Sequence, residues 1–199
     1  MIEKIFLSLV LAYILGSLSL GYFFGKLKGI DLRKVGPIKN IGASNVRHVL
    51  GWPYAILTGV FDAAKGMIAL VIAMLLNVPF FVLPFNGLLA IIGHCFPFYL
   101  NFKGGRGAAT AMGLIIFGFF LIIFTQDFSF LFLFIFAFLS LFFLFLTKAK
   151  NLTAIFSTIL FFILIFPQTQ NNFKWIVGVG FLWLSLLGII AIKEKGIRA

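Results

Sequence analysis

The sequence predicts an all-α integral membrane protein, a bundle of about seven transmembrane helices. Hydrophobic residues make up 62% of its 199 positions and charged residues only 11%, an excess of apolar surface that one water-soluble core could not conceal. Several apolar runs also approach the roughly 20 residues that a helix needs to cross a bilayer. We therefore expect a single polytopic membrane domain covering residues 1–199.

The seven expected helices are separated by polar residues or proline. The predicted spans are 5–25, 53–76, 80–99, 108–124, 128–147, 152–167 and 173–192. Thr125, Gln126 and Asp127 divide an apolar stretch that is too long for one crossing, because a helix rises about 1.5 Å per residue. The segments 77–79 and 167–172 contain prolines, which lack the backbone donor that a helix interior requires, and so mark two further turns.

Basic residues occur mainly in alternate connections between these spans. The first, third and fifth connections and the tail contain Lys26, Lys28, Arg33, Lys34, Lys39 and Arg47, then Lys103 and Arg106, then Lys148 and Lys150, then Lys193, Lys195 and Arg198. The opposite side has only Lys4 and Lys174. The positive-inside rule then predicts an external N-terminus and a cytoplasmic C-terminus. The net charge of +11 thus mainly reflects the orientation of the chain in the membrane, and we expect no nucleic-acid partner.

The run Lys103–Gly107 (KGGRG) is the strongest local signal for chemistry. Glycines can turn successive N–H groups toward one concavity, and the flanking cations suit an anion such as phosphate. A helix beginning near Ala108 would direct its free N–H groups to the same place. The run is not a Walker A motif, because Lys103 precedes the glycines. A flexible basic turn explains the run about equally well.

Three other polar features are weaker. Asp62 and Lys65, spaced i, i+3 in the second span, can form an ion pair on one helix face, either to support the loops or to take part in chemistry. The glycines and short polar residues of the first loop, 36–51, are also ordinary turn residues. His94 by itself indicates a buried, hydrogen-bonded histidine. No metal-ligand spacing and no nucleophile–base pattern occurs, so we predict no metal and no cofactor.

Three separated segments together resemble one family, the bacterial PlsY acyltransferases. They are GHCFPFYLNFKGGRGAAT at 93–110, DAAKG at 62–66, and GASN at 42–45 after DLRKVG. The resemblance implies transfer of an acyl group from acyl phosphate to sn-glycerol 3-phosphate, which gives lysophosphatidic acid for phospholipid synthesis. It further implies a multi-pass protein of the cytoplasmic (inner) membrane, in contact with lipid, whose active site faces the cytoplasm. No obligate protein partner is expected.

The resemblance also implies roles for individual residues. The implied catalytic residues are Lys103, Arg106 and His94. The implied substrate-binding residues are Gly104, Gly105, Gly107, Thr110, Asn40, Ser44, Asn45 and Arg47. The implied supporting residues are Asp62, Lys65 and Asn151.

The chain departs from the family pattern at several places, of which the first loop and the tail matter most. The first loop has Pro37, Ile38 and Lys39 where the family has a serine-containing GSGN, and the tail ends IKEKGIRA without the usual histidine and asparagine. Two alternatives therefore stand beside the acyltransferase: a divergent family member with a changed acceptor or lost activity, and a small transporter of a phosphorylated solute.

Overall fold

The fold is taken from a computed structural model, which describes residues 1–125, 136–137, 139–141, 150–168 and 173–196. Within these ranges the regular structure is entirely helical, which confirms the all-α prediction. The chain divides into two compact units, Met1–Leu114 and Ile115–Ala199, and each is considered by itself. The single domain stays a prediction.

The first unit contains five helices and the start of a sixth. They are α1 Ile2–Ser17, α2 Leu20–Leu27, α3 Ala43–Leu50, α4 Trp52–Leu75, α5 Leu83–Cys95 and α6 Ala108–Thr125, the last of which continues into the second unit. Short 3₁₀ turns at Phe80–Val82 and Phe98–Leu100 flank α5. The predicted spans 53–76 and 108–124 are confirmed within a residue. The span 80–99 is confirmed as a stretch whose α-helical part ends at Cys95.

The predicted first span, 5–25, is wrong as one helix, because the chain breaks between α1 and α2. Leu18 is extended, with φ −61° and ψ 135°, and Ser19 is the N-cap of α2. The N–H of Tyr22 donates to the Ser19 hydroxyl at 3.2 Å, so the side chain replaces a backbone acceptor. Helix α3 was not expected either, since we treated residues 36–51 as a loop.

Small residues let α1, α4 and α5 approach closely. A Cβ at Gly16 would overlap the backbone of Ala90, and one at Gly93 would overlap the carbonyl oxygen of Tyr13. Ala12 and Ala69 pack in a buried cluster with Ala90. Close backbone approach of this kind drives helix association in a membrane, where apolar side chains gain little by leaving lipid.

Two tyrosines connect the ends of α1 and α5. The Tyr13 hydroxyl donates to the carbonyl oxygen of Phe96 at 2.8 Å, and the Tyr99 hydroxyl donates to that of Ser17 at 2.7 Å. Both acceptors lie at helix ends, where carbonyl groups lack intrahelical partners. The C-terminal ends of α1 and α5 are therefore held together.

The described part of the second unit is built mainly on α7, Lys150–Leu160, and α8, Phe173–Gly196. After Leu160 the helix continues as a π turn, Phe161–Ile165, and a 3₁₀ turn, Phe166–Gln168. The predicted spans 152–167 and 173–192 are thereby confirmed as helical. The Ser185 hydroxyl donates to Thr158 Oγ1 at 2.6 Å, a polar contact between α7 and α8. Most of the fifth predicted span, 128–147, and the turn residues Gln126 and Asp127 lie outside the described residues.

Four stretches of the described residues are long and apolar enough to cross a membrane. They are Ile2–Leu27, Trp52–Leu75, Phe80–Leu100 and Lys174–Ile192, and Ala108–Ile123 and Asn151–Ile165 are shorter apolar helices. The first of them includes the break at Leu18. These lengths and the composition agree with a multi-pass membrane protein.

Candidate active site

The first loop is organised around the side chain of Asn45, which has no exposed surface. Its amide nitrogen lies 2.9–3.0 Å from three backbone carbonyl oxygens, and its amide oxygen accepts two backbone N–H groups. The acceptors are Leu32, Val35 and Asn40, and the donors are Ile38 and Lys39. The resemblance implied that Asn45 holds either the acceptor phosphate or the loop around it; this geometry fits the second role, since its polar atoms hold the loop, and a direct substrate contact stays a prediction.

The other predicted first-loop residues are nearer to solvent. Asn40 is half-buried, and its side-chain oxygen accepts the N–H of Gly42 at 3.1 Å. Ser44 is exposed in the first turn of α3. Arg47 is also exposed; its guanidinium carbon lies 5.1 Å from the centre of the Trp52 ring. These three side chains border the open side of the loop, where Asn45 does not reach.

An ion pair just before the first loop contacts the segment that precedes Lys103. Arg33 donates to both carboxylate oxygens of Asp31, at 2.9 and 3.0 Å, and to the carbonyl oxygen of Leu100 at 3.0 Å. The hydrogen bonds from Arg33 hold the pKa of Asp31 below its ordinary value. Sequence reasoning counted Arg33 only as a topological charge. The opposite charges two residues apart in DLR were the signal that could have revealed the pair.

The 103–107 segment lies against the C-terminal end of α5. The N–H of Gly104 donates to the carbonyl oxygen of Cys95 at 2.9 Å, and that of Gly105 to His94 at 3.0 Å. A Cβ at Gly104 would overlap the carbonyl oxygen of His94, and one at Gly105 would overlap His94 Nε2. Both amides are thus bonded to the chain itself, which fits the turn better than the phosphate cradle, and the substrate-binding role implied for the two glycines stays a prediction. The glycines here permit close docking.

Other donors remain on the open side of this segment. Lys103 and Arg106 are exposed, and Gly107 takes a positive φ of 76° where the chain turns into α6. The N–H groups at the very start of a helix have no intrahelical acceptor. In α6 the first helical hydrogen bond is from the N–H of Ala111 to the Gly107 carbonyl oxygen, at 2.9 Å. Two cations and a helix N-terminus therefore adjoin one another, which suits an anionic group.

Thr110 lies at the inner side of the same helix start. It is fully buried, and its hydroxyl oxygen has no hydrogen-bond partner in the described chain. A Cβ at Gly66 would meet Thr110 at 3.1 Å, so α4 and α6 touch there. The hydroxyl of Thr110 is therefore enclosed by protein, whereas Lys103 and Arg106 are open to solvent.

A buried cluster of Asp62, Lys65 and His94 lies under the glycine segment. Lys65 Nζ is 3.0 Å from Asp62 Oδ1, which confirms the predicted ion pair, and 2.7 Å from His94 Nδ1. It also donates to the carbonyl oxygen of Leu18 at 2.8 Å. His94 is 3% exposed, as expected of a buried histidine, and its Nδ1 is 3.4 Å from Asp62 Oδ1. Sequence reasoning named all three residues but did not predict that His94 contacts the pair, because His94 is on another helix.

The remaining predictions concern Asn151 and metals. Asn151 lies in the second unit, where its carbonyl oxygen is 2.7 Å from the position of a Cβ at Gly188. Its supporting role stays a prediction. The part of the chain described by the structure has no group of three or more His, Cys, Asp or Glu that could hold a metal, and the absence of a metal also stays a prediction.

Comparison with curated proteins gives relatives that match about half of the chain. Glycerol-3-phosphate acyltransferase of Aquifex aeolicus is 44% identical over 107 residues, which are 53% of this chain and 55% of that protein. The enzymes of that name from Thermus thermophilus and Coxiella burnetii are 41% and 43% identical over 110 residues. These matches cover 55% of this chain, and 55% and 57% of those proteins. The chain thus spans about half the length of the curated relatives it matches.

Two solved structures of PlsY, an integral membrane glycerol 3-phosphate acyltransferase, resemble nearly the whole chain. The glycerol 3-phosphate form has a TM-score of 0.69 and 29% identity, covering 98% of this chain and 92% of that one. The lysophosphatidic acid form has a TM-score of 0.60 and 27% identity, covering 96% and 92%. A family model described as glycerol-3-phosphate acyltransferase matches residues 6–198, and the chain therefore belongs to that family.

Proposed function

We propose that the chain is a membrane enzyme that transfers an acyl group from acyl phosphate to sn-glycerol 3-phosphate and so forms lysophosphatidic acid for phospholipid synthesis. Family membership and the relatives' names support this function, as do the glycerol 3-phosphate and lysophosphatidic acid forms of PlsY. The observation that carries the proposal is the 103–107 segment, which is docked on α5 with Lys103 and Arg106 exposed beside the start of α6.

The proposed reaction requires no nucleophile from the protein. The primary hydroxyl of glycerol 3-phosphate attacks the acyl carbonyl, the new ester bond forms, inorganic phosphate leaves with the electrons of the broken C–O bond, and the hydroxyl proton passes to a base such as a substrate phosphate oxygen. The site must hold two anions close together and stabilise the developing charge. Lys103 and Arg106 supply positive charge for the phosphates, and the N–H groups at the start of α6 supply donors.

The first loop contributes to the same site in two ways. Asn40, Ser44 and Arg47 border its open side and are proposed to bind substrate. Asn45 acts indirectly, since its buried side chain sets the course of the loop. Asp62 and Lys65 support the site from beneath, next to His94. As the resemblance implies, Gly107 and Thr110 are proposed to bind substrate, and Asn151 is proposed to support the site.

The membrane setting follows from composition and exposed surface. Large apolar side chains, among them Phe6, Leu57 and Ile116, are more than half exposed, which suits contact with lipid. We propose seven crossings of the cytoplasmic (inner) membrane, with the N-terminus outside and the C-terminus and active site in the cytoplasm, because the basic loops alternate with nearly uncharged ones. An acyl chain can then reach the site between helices from the bilayer. No obligate protein partner is proposed.

Reconstitution tests the function directly. Purified protein in lipid vesicles receives acyl phosphate and labelled glycerol 3-phosphate, and the labelled lipid product is measured beside a Lys103→Ala variant. We expect lysophosphatidic acid from the wild type and at least a tenfold lower rate from the variant. The absence of product above the variant would overturn the proposal. Binding without turnover would favour a divergent member, and labelled solute accumulating unacylated inside sealed vesicles would favour the transporter.

A further inference from the structure

Lys65 Nζ contacts three groups, two of them through hydrogen bonds and the third as an ion pair. Its nitrogen lies 2.8 Å from Leu18 O, 2.7 Å from His94 Nδ1 and 3.0 Å from Asp62 Oδ1. A carbonyl oxygen can only accept, so Lys65 donates to Leu18 O, while the Asp62 carboxylate supplies the counter-charge without a hydrogen bond. An ammonium group has no lone pair, so in the 2.7 Å contact with His94 it is the donor and Nδ1 is the acceptor. A buried cation requires such a counter-charge and such acceptors, and Lys65 has no exposed surface.

The contact with Lys65 determines where His94 carries its proton. A ring nitrogen that accepts a hydrogen bond is unprotonated, and a neutral imidazole then bears its single proton on the other nitrogen. Nδ1 accepts from Lys65, so the proton is on Nε2. The groups that face this ring are the Asp62 carboxylate and Lys65 on α4, Leu18 O beside Lys65, and Gly105 from the 103–107 segment.

The Nε2 edge of His94 is turned toward the glycine segment. A Cβ at Gly105 would overlap Nε2, so the nitrogen lies next to the Gly105 backbone. Within the described chain Nε2 has no hydrogen-bond partner, and it keeps a small exposed surface. The 3% of His94 that is exposed therefore includes a donor, in the same segment that presents Lys103 and Arg106.

We propose that Lys65 is a positioning residue that fixes His94 with its proton on Nε2, and that this N–H donates a hydrogen bond to a phosphate oxygen of a substrate at the 103–107 segment. The inference rests on the proposed function for the identity of the substrate. It assigns His94 as a donor and not as a general base, because Nδ1 is occupied by Lys65 and Nε2 already carries a proton. The proton of the attacking hydroxyl must then go elsewhere, and a substrate phosphate oxygen is the available acceptor.

The tautomer can be measured without any assay of activity. The chain contains two histidines, His48 and His94, so a His48→Asn protein labelled with ¹⁵N-histidine gives the ring signals of His94 alone. In lipid we expect an unprotonated Nδ1 and a protonated Nε2, and we expect the Nε2 signal to move when inorganic phosphate or glycerol 3-phosphate is added. The inference would be overturned by a proton on Nδ1, by protons on both nitrogens, or by an Nε2 signal that does not move when either anion is added.

Lys65→Met tests the positioning role. Without the lysine donor, Nδ1 can take the proton and donate to Asp62, so we expect the tautomer to change. Lys65→Arg is the second variant, since a guanidinium can only donate, retains the charge opposite Asp62, and should retain the Nε2 proton even where the methionine variant does not fold. An unchanged tautomer in Lys65→Met, or an altered one in Lys65→Arg, would contradict the assigned role of Lys65.

Two substitutions of His94 separate the two ring nitrogens kinetically. Glutamine places an amide N–H near the position of Nε2, whereas asparagine reaches only as far as Nδ1. We expect His94→Gln to retain kcat/KM within about threefold and His94→Asn to lose about 10- to 100-fold, the range for a hydrogen bond to a charged group. A rise in KM for glycerol 3-phosphate or for acyl phosphate identifies which phosphate is bound. Equal losses in both variants would overturn the inference, whereas an inactive wild type would contradict the proposed function and leave the spectroscopic test intact.

Discussion

The ring of His94 occupies the space that a side chain at position 105 would need. A Cβ built on Gly105 overlaps His94 Nε2, and the Gly105 N–H donates to the His94 carbonyl oxygen at 3.0 Å. One residue of α5 thus contacts the glycine segment through both its backbone and its ring. The position of Lys103 and Arg106 depends on this contact.

Gly105→Ala is expected to lower acyl transfer at least about tenfold, because overpacking costs about 1–3 kcal/mol and must displace either the ring or the segment. The rate is measured in reconstituted vesicles, with folding checked by thermal unfolding. Gly59→Ala is the matched control, since its Cβ would meet only the Ala43 Cβ at an ordinary 3.5 Å. Wild-type activity in Gly105→Ala would contradict the close contact.

Lys65→Met is expected to lower the free energy of unfolding by about 3–5 kcal/mol, because it leaves the Asp62 carboxylate buried without its partner. Asp62 is only 1% exposed, so water does not replace the lost ammonium. The double variant Asp62→Asn, Lys65→Met removes both charges and should recover much of the loss. The free energy of unfolding is measured in detergent for the wild type, the single variant and the double variant. Equal stability of the single and double variants would refute the pairing.

Asn45→Asp is expected to loosen the first loop more than it alters substrate affinity. The substitution replaces a donating amide by a carboxylate that faces the carbonyl oxygens of Leu32, Val35 and Asn40. Unsatisfied buried groups cost about 1–3 kcal/mol each, so trypsin should cleave faster after Lys34 and Lys39. Ser44→Ala is the control for cleavage, because that side chain is exposed. Unchanged cleavage with a raised KM would instead indicate direct substrate contact.

The Asp31–Arg33 pair predicts a loss of loop order in acid. The pKa of Asp31 is lowered in the folded protein, so the stabilisation is complete above the ordinary pKa of about 3.9 and is lost as the pH falls through the lowered value. Pepsin cleavage within residues 28–42 should therefore increase below about pH 4 in the wild type. Asp31→Asn lacks the pair at every pH and should be more mobile at neutral pH, as judged by amide hydrogen exchange. Identical exchange in the two proteins at neutral pH would contradict a role for the pair.

Features that depend on local sequence were predictable. Apolar runs located α4 and α6 within a residue, and the spacing of Asp62 and Lys65 gave their ion pair. In contrast, α3 was missed because its eight residues lie between Gly42 and Gly51, and such a short helix is stable mainly through packing. Val46 and Asn45 provide that packing by burying one face of α3.

Features that depend on distant partners were not predictable. The His94 contact with Lys65 joins two helices, and the same lysine donates to the carbonyl oxygen of Leu18 at the break between α1 and α2. The glycines of the 103–107 segment allowed two interpretations, an anion cradle or a turn. The structure adds a third role, because the amides of Gly104 and Gly105 bond to α5 while Lys103 and Arg106 stay exposed.

The break between α1 and α2 has a consequence for biogenesis. Leu18 is synthesised long before Lys65, whose ammonium group supplies the donor for its carbonyl oxygen. In lipid an unpaired carbonyl is costly, and until α4 arrives the nearest donor is the N–H of Tyr22, four residues on. We therefore expect residues 2–27 to enter the bilayer as one straight helix and to bend only when α4 inserts beside them. Spin labels on a nascent chain ending at residue 50 should report the straight form, and labels on the full chain the bent one.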